Sequence, residues 1–411
     1  MTTRVDFSTR VRRSVLGLRD FRLLWIGQAV STVGDQVFTY AVPIAVLNGG
    51  GTASDVGFVL GARVVAIVLF ALIGGVWADR LPRRHVMMGA DLFRAVTILT
   101  LFVLPQQPSI LLLAVIVFLV GGGEAFFRPA ETALLPDIVP VERLNQANGL
   151  VMISFRTAAI VGPGLGGFTV VVFGVRAAYL ITVVTFLVSF VSLYLLHEPK
   201  RVKRPERRPV LREIREGLGE VRRRPWVFGA LVGAALMLML VVAPETVLLP
   251  VIGREQFGAD WVYAASLALV SVGAVVGALW AMRHRPKHPG QLSLLLGLLF
   301  LPTLFALAFP VSAGLILVSY LLAGFGWEPW SVYWQSALQR EIPSDRLARV
   351  SSVDWMASFA FMPLGLALTG PAVAAFGATA VLCGSAVCLV AIVVGLLVFV
   401  PGIRDFSSAG T

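Results

Sequence analysis

The chain has 411 residues, 57% of them apolar and only 14% charged, with a mean hydropathy of +0.84 and a formal net charge of +11. A soluble globular domain carries about a quarter charged residues, so this composition excludes that class and points to a membrane protein with many spans. The basic excess would suit nucleic acid, but it is concentrated between apolar runs, and no nucleic-acid partner is expected.

In chain order, residues 1–22 hold six arginines and no apolar core, which predicts a cytoplasmic segment rather than a cleavable secretion signal. A helix needs about 20 apolar residues to cross roughly 30 Å of hydrocarbon. Twelve stretches qualify, at about 23–47, 55–78, 86–104, 110–128, 148–173, 177–196, 226–250, 262–282, 291–309, 312–334, 355–375 and 378–400. They are continuous rather than alternating, which favours helices over a closed barrel. The expected fold is an all-α polytopic membrane protein of twelve transmembrane helices. Its expected divisions are the segment 1–22, a six-helix bundle 23–198, a linker 199–225, a second six-helix bundle 226–400 and a tail 401–411, with both termini cytoplasmic. In that orientation all but six of the 34 Lys and Arg face the cytoplasm: Arg176 and Arg254 fall outside, and Arg63, Arg94, Arg128 and Arg156 fall within spans. This is a positive-inside distribution.

A shift of 203 residues sets Arg80 and Arg84 on Arg283 and Lys287. It sets Gly123, Pro140, Arg143 and Leu144 on Gly326, Pro343, Arg346 and Leu347, and Phe173-Gly174 on Phe376-Gly377. One offset recurring at three places implies two halves related by an axis along the membrane normal. In the linker, Val210, Leu211, Ile214, Leu218 and Val221 recur at helical spacing behind Pro209, which suits a helix start. The helix either lies on anionic headgroups or is a solvated connector.

The stretch from Gly74 to Arg84, GGVWADRLPRR, packs one acid and three arginines where the chain leaves the apolar phase. Its spacing G-x-x-x-D-R-x-x-R-R, from Gly75 to Arg84, resembles the signature loop between the second and third helices of the major facilitator superfamily of transporters. The resemblance implies two pseudo-symmetric six-helix halves and a transport function. It implies that Gly75 lets the second helix approach the eleventh near Trp355, and that Asp79 sits by the positive end of that helix as a conformational switch. Arg80, Arg83 and Arg84 would hold the loop through acids and headgroups. The family's glycine within this loop is Pro82 here, and the position of Asp79 in the second half is Met282.

In the fifth span, Gly162, Pro163, Gly166 and Gly167 resemble the superfamily's antiporter motif, with Ala158 in place of its first glycine. The resemblance implies export, while close packing of helices in lipid accounts for the same small residues. The runs 121–148 and 21–36 resemble the branch of siderophore exporters and single-component drug efflux pumps. The family's fourth-helix arginine motif is missing, with Phe118 at its arginine, so no proton-coupling role carries over from it.

An ionisable side chain inside a span costs about 3 kcal/mol or more and so faces a cavity or a partner. Asp35 lies midway along the first span, about 18 Å deep at 1.5 Å per residue. It is either the proton-coupling or substrate-binding acid, or half of a static pair with Arg63 on the second span. Asp91 and Arg94 share a helix face and predict a local pair. Glu124 and Arg156 would bridge the fourth and fifth spans, and Glu131 reads as a gate or surface charge. In the second half, Glu245 and Glu328 lie within spans. Trp327, Trp330 and Trp334 share a face around Glu328 that either stacks a ring or organic cation in a cavity or forms an interfacial belt.

Cys383 and Cys388 share the last span and His85, His197, His284 and His288 lie near loops, so neither a disulfide framework nor a metal site is expected. The sequence holds no phosphate-cradling GxxxxGK[ST] segment and no catalytic residues are expected. The expected protein is a secondary active transporter with no cofactor, driven by the proton gradient. It would export an amphipathic small molecule, a drug-like compound or siderophore, by proton antiport across a bacterial-type plasma (inner) membrane, as a monomer among membrane lipids. A lipid or lysophospholipid translocator on the same fold is the alternative. A membrane-embedded sensor or enzyme is a remote one, lacking a nucleophile, metal cluster or soluble domain.

Overall fold

The computed structural model describes residues 15–103, 108–198, 218–258, 260–342, 350, 353–354 and 356–407, with backbone alone for 71–76, 78–80 and 103. Twelve helices among them are long and apolar enough to cross a membrane. The first six are α1 (Arg19–Asn48), α2 (Ala53–Arg80), α3 (Arg83–Val103), α4 (Ile110–Ile138), α5 (Leu144–Phe173) and α6 (Val175–Leu195). The second six are α7 (Pro225–Phe257), α8 (Trp261–Arg283), α9 (Pro289–Ala308), α10 (Ala313–Glu341), α11 (Met356–Phe376) and α12 (Ala378–Phe399). No strand occurs among the described residues. The chain is therefore an all-α, multi-pass membrane protein.

Several helices outrun their apolar stretches. α4 continues past Arg128 to Ile138, because Ala130, Leu134 and Leu135 still bury one face against Phe21, Met87 and Leu193 while charged residues occupy the other. Hydropathy falls where charge begins, whereas helical hydrogen bonding continues as long as one face is packed. Of the expected linker helix, residues 199–217 lie outside the described residues, and only 218–222 are seen as helix, with Val221 buried and Leu218 exposed.

The chain divides into two compact units, one of Met1–Ala45 with Ala62–Arg204 and one of Val46–Gly61 with Pro205–Thr411. In the first, polarity runs opposite to that of a soluble protein. On α6, Leu180, Val184, Leu187 and Val191 are exposed, while Thr182, Thr185, Ser189 and Ser192 are buried. Those small polar residues pack on α1: Thr182 donates to the Gly34 carbonyl at 3.1 Å, Ser192 to the Leu23 carbonyl at 2.8 Å, and Gln28 to Ser189 at 3.2 Å. In lipid, small and hydroxyl side chains join helices because burying leucine gains nothing over hydrocarbon.

In the second unit α8 and α10 approach so closely that a Cβ on Gly324 would lie 1.9 Å from the Val270 carbonyl oxygen. α7 contains a π-helical turn at Leu238–Val242 just before Pro244. A proline there cannot donate to the preceding turn and its ring crowds that carbonyl, so the chain widens locally.

The repeat has structural counterparts. α4 and α10 are offset by 203 residues at both ends, and Ser109 and Ser312 each accept a hydrogen bond from the amide three residues on. Gly174 and Gly377 end α5 and α11 at φ +82° and +80°, a region only glycine occupies readily.

Candidate functional site

In the first unit, α1 to α4 bring charged side chains together within the spans. Arg94 on α3 donates through Nη2 to Asp91 at 2.6 Å and through Nη1 to both oxygens of Asp35 at 3.3 Å. Its guanidinium lies over the ring of Phe186, 4.1 Å from the centroid, and that of Phe127, at 4.8 Å. The Asp35 side chain is 15% exposed and that of Asp91 is fully buried, so Asp35 is the more accessible of the two acids. Asp91 and Arg94 form the local pair that their spacing predicts.

Arg63 on α2 pairs with Glu124 on α4 at 2.9 Å rather than with Asp35, and also donates to Thr39. The rise per residue fixes the depth of these side chains but not the direction they face around the helix, so the expected Asp35–Arg63 pair gives way to one between Arg63 and Glu124. Glu124 also faces Arg128 at 3.7 Å, and Arg128 reaches Glu131 at 3.9 Å. Arg156, expected across from Glu124, is half-buried on α5. Close packing makes the cluster possible: a Cβ on Gly123 would sit 2.5 Å from Arg94 Cγ, and one on Gly121 2.6 Å from the Arg63 carbonyl oxygen.

Gly75, Asp79 and Arg80 lie on the backbone of α2, and their side chains, like all of Trp355, fall outside the described residues. Arg83 is described: it is buried and donates to Asp137 and to the Ala133 carbonyl, both on α4. The backbone amides of Arg83 and Arg84 donate to the two Glu198 carboxylate oxygens at 3.0 and 3.1 Å. A carboxylate at a helix N-terminus satisfies free amides and meets the positive end of the helix dipole. Arg84 itself donates to the Leu196 carbonyl at 2.6 Å.

Of the fifth-helix motif, Gly162, Pro163, Gly166 and Gly167 are all buried. A Cβ on Gly162 would lie 2.3 Å from Gln36 Cβ, and one on Gly166 3.0 Å from the Tyr40 ring. These glycines set the approach of α5 to α1, one turn from Asp35.

In the second unit Glu245 on α7 is buried, accepts from the Tyr320 hydroxyl of α10, and faces Thr246. No Lys, Arg or His among the described residues stands within ion-pair distance of it. Glu328 is buried on α10. Trp327 and Trp330 line a cavity of about 310 Å³ inside this unit, together with Trp334 and Asp354. The Trp334 indole donates to Asp354 at 2.9 Å. Asp354 precedes α11, outside the spans. Burial pushes its carboxyl above its ordinary value, and hydrogen bonds from Trp334 and Ser358 oppose that shift. Arg94 and Asp354 carry these two arrangements and neither stands out in the sequence: Arg94 reads as half of a local pair, and Asp354 follows a short polar stretch of sequence.

Comparison with known proteins agrees with this architecture. A model of the Major Facilitator Superfamily matches residues 24–366. The multidrug efflux pump Tap of Mycolicibacterium fortuitum is 28% identical over 98% of this chain and 99% of its own. The enterobactin exporter EntS of Escherichia coli O1:K1 / APEC is 27% identical over 85% of this chain and 84% of its own. Among solved structures, a bacterial homologue of the iron transporter ferroportin superimposes with a TM-score of 0.73 at 17% identity, covering 93% of this chain and 98% of that one, a likeness of fold.

Proposed function

The chain belongs to the major facilitator superfamily and is a membrane transporter rather than an enzyme; from that premise we propose that it exports an amphipathic small molecule, a drug-like compound or siderophore, in exchange for protons. The observation that carries this reading is the bank of charged side chains joined by Arg94 and Arg63 within the spans of the first unit. Each such charge costs about 3 kcal/mol or more in a bilayer, and a cost repeated along one cluster fits a protein that moves charge. Within the bank Asp35 is the coupling acid: it holds the more exposed and longer of the two Arg94 contacts. Protonating it leaves Arg94 paired with Asp91, so the proton is taken up without stranding a cation. The whole-length likeness to an efflux pump, together with the glycine face of α5, supports the outward direction.

The membrane is a bacterial-type plasma (inner) membrane with both termini in the cytoplasm, an orientation supported by the positive-inside distribution. Alternating access follows from opposite tilting of the two halves, with Asp79 biasing the state closed to the cytoplasm. The energy source is the proton gradient, with no cofactor. The partners are the cargo, protons and membrane lipids, and the working unit is a monomer. The test is accumulation of a panel of drug-like compounds and siderophores in inverted membrane vesicles. Accumulation of at least one compound that collapses on adding a protonophore supports the reading, and gradient-independent equilibration of every compound contradicts it.

A further inference from the structure

The cavity of about 310 Å³ in the second unit lies between α7, α9, α10 and α12, bounded by Asp354 and the start of α11. Trp327, Trp330 and Trp334 form its aromatic wall, and Ser331, Ser358 and Asp354 supply hydroxyls and an acid. The wall is rigid. Trp330 and Trp334 lie nearly parallel, 11° apart with centroids at 5.7 Å, and Phe406 meets both edge-on at 5.2 and 5.8 Å. Trp327 is steadied by Phe300 at 5.9 Å. Trp334 is 5% exposed and holds Asp354 by its indole N–H. Trp327 and Trp330 are half-buried and line the cavity.

Among the described lining residues Asp354 is the one ionisable side chain, and no Lys, Arg or His is among them. A carboxylate in an aromatic chamber with no cation among the described lining residues is complementary to a cation. We propose that this cavity is a binding subsite for a flat aromatic cation, a protonated or quaternary ring amine, with Asp354 as counter-ion and the tryptophans as stacking faces. The indole quadrupole attracts a cation at its face, and the acid adds an attraction that an uncharged ring of the same shape does not feel. A volume at the small end of ligand sites suits one fused-ring head group. An anionic cargo, such as an acidic siderophore, would meet repulsion at Asp354. The inference rests on the exporter reading in treating the occupant as cargo, and it narrows that cargo from amphipathic compounds in general to basic aromatic ones.

The test uses the full-length protein in detergent, without a gradient, with 1-methylquinolinium as probe and its uncharged isostere 1-methylnaphthalene as control, measured by equilibrium dialysis. The wild-type protein should bind the cation saturably and more tightly than the isostere. Asp354→Asn keeps an acceptor for Trp334 and should weaken the cation about tenfold or more, leaving the isostere unchanged. Asp354→Glu should retain most of the affinity, and Trp330→Leu should weaken both probes. Each variant is first required to elute as a monodisperse species. No saturable binding by wild type, or equal cation affinity in Asp354→Asn, overturns the proposal. Gradient-driven export with Asp354-independent binding removes the subsite and leaves the exporter. Asp354-dependent binding without any gradient-driven export keeps the subsite and removes the exporter.

Discussion

The guanidinium of Arg94 stands 3.3 Å from both carboxylate oxygens of Asp35 on another helix, while its second terminal nitrogen holds Asp91 of its own helix at 2.6 Å. One buried cation thus serves two acids, and removing it would leave both uncompensated. Breaking a buried ion pair from one side costs about 3–5 kcal/mol. Arg94→Met should therefore lower the melting temperature of the purified protein sharply, and Arg94→Lys should recover only part because lysine lacks the planar fork. An Arg94→Met protein that melts with the parent would show that the network contributes little to stability.

Glu245 tests the opposite situation, an acid held by hydroxyls instead of a cation. Glu245→Gln keeps an acceptor for Tyr320 and should change stability by no more than about 1.5 kcal/mol. Glu245→Leu strands the buried Tyr320 hydroxyl and should cost about 1–3 kcal/mol. Denaturation of the two variants side by side checks this, and equal loss in both would mean that Tyr320 has another partner.

The sequence shows the spans well and the partners within them poorly, for a physical reason. Apolar runs such as 177–196 are long enough to cross a bilayer whatever surrounds them, and the Phe-Gly pairs at 173–174 and 376–377 mark helix ends because their backbone needs glycine. Helix ends such as Ile138 escape hydropathy because they depend on which face is packed. Pairing depends on azimuth as well as depth, so Arg63 meets Glu124 while Arg94 reaches Asp35. The Trp334–Asp354 bond joins residues twenty apart in the sequence, and the stretch between them carries no signal for it.

Acidification should release an aromatic cation from the second unit. Burial raises the Asp354 carboxyl above its ordinary value, so it takes up a proton at a higher pH than an exposed aspartate does. Its charge, and the attraction it provides, is present above that raised value and lost as the pH falls through it. The affinity for 1-methylquinolinium should thus decline as the pH falls through that raised value in wild type and stay flat in Asp354→Asn. A matching decline in the variant would assign the effect to another group.

Asp79 is proposed as a bias on conformation, not as a fold-stabilising residue. A carboxylate near a helix N-terminus contributes about 0.3–2 kcal/mol, and 1–2 kcal/mol changes a two-state ratio roughly five- to thirtyfold. Asp79→Asn should shift spin-label distances between the cytoplasmic ends of α2 and α11 toward the open state while leaving the melting temperature unchanged. Identical distance distributions would remove the switch role.

The most direct measurement of proton antiport is substrate-induced proton movement in proteoliposomes loaded with a pH-sensitive dye. Starting from equal pH on both sides, adding a transported compound outside should drive protons the opposite way through wild-type protein. Asp35→Asn, which keeps size and hydrogen bonding but cannot titrate, should still exchange labelled for unlabelled compound while moving no protons. Substrate movement by wild-type protein with no accompanying pH change, or an unchanged proton signal in Asp35→Asn, would contradict the account.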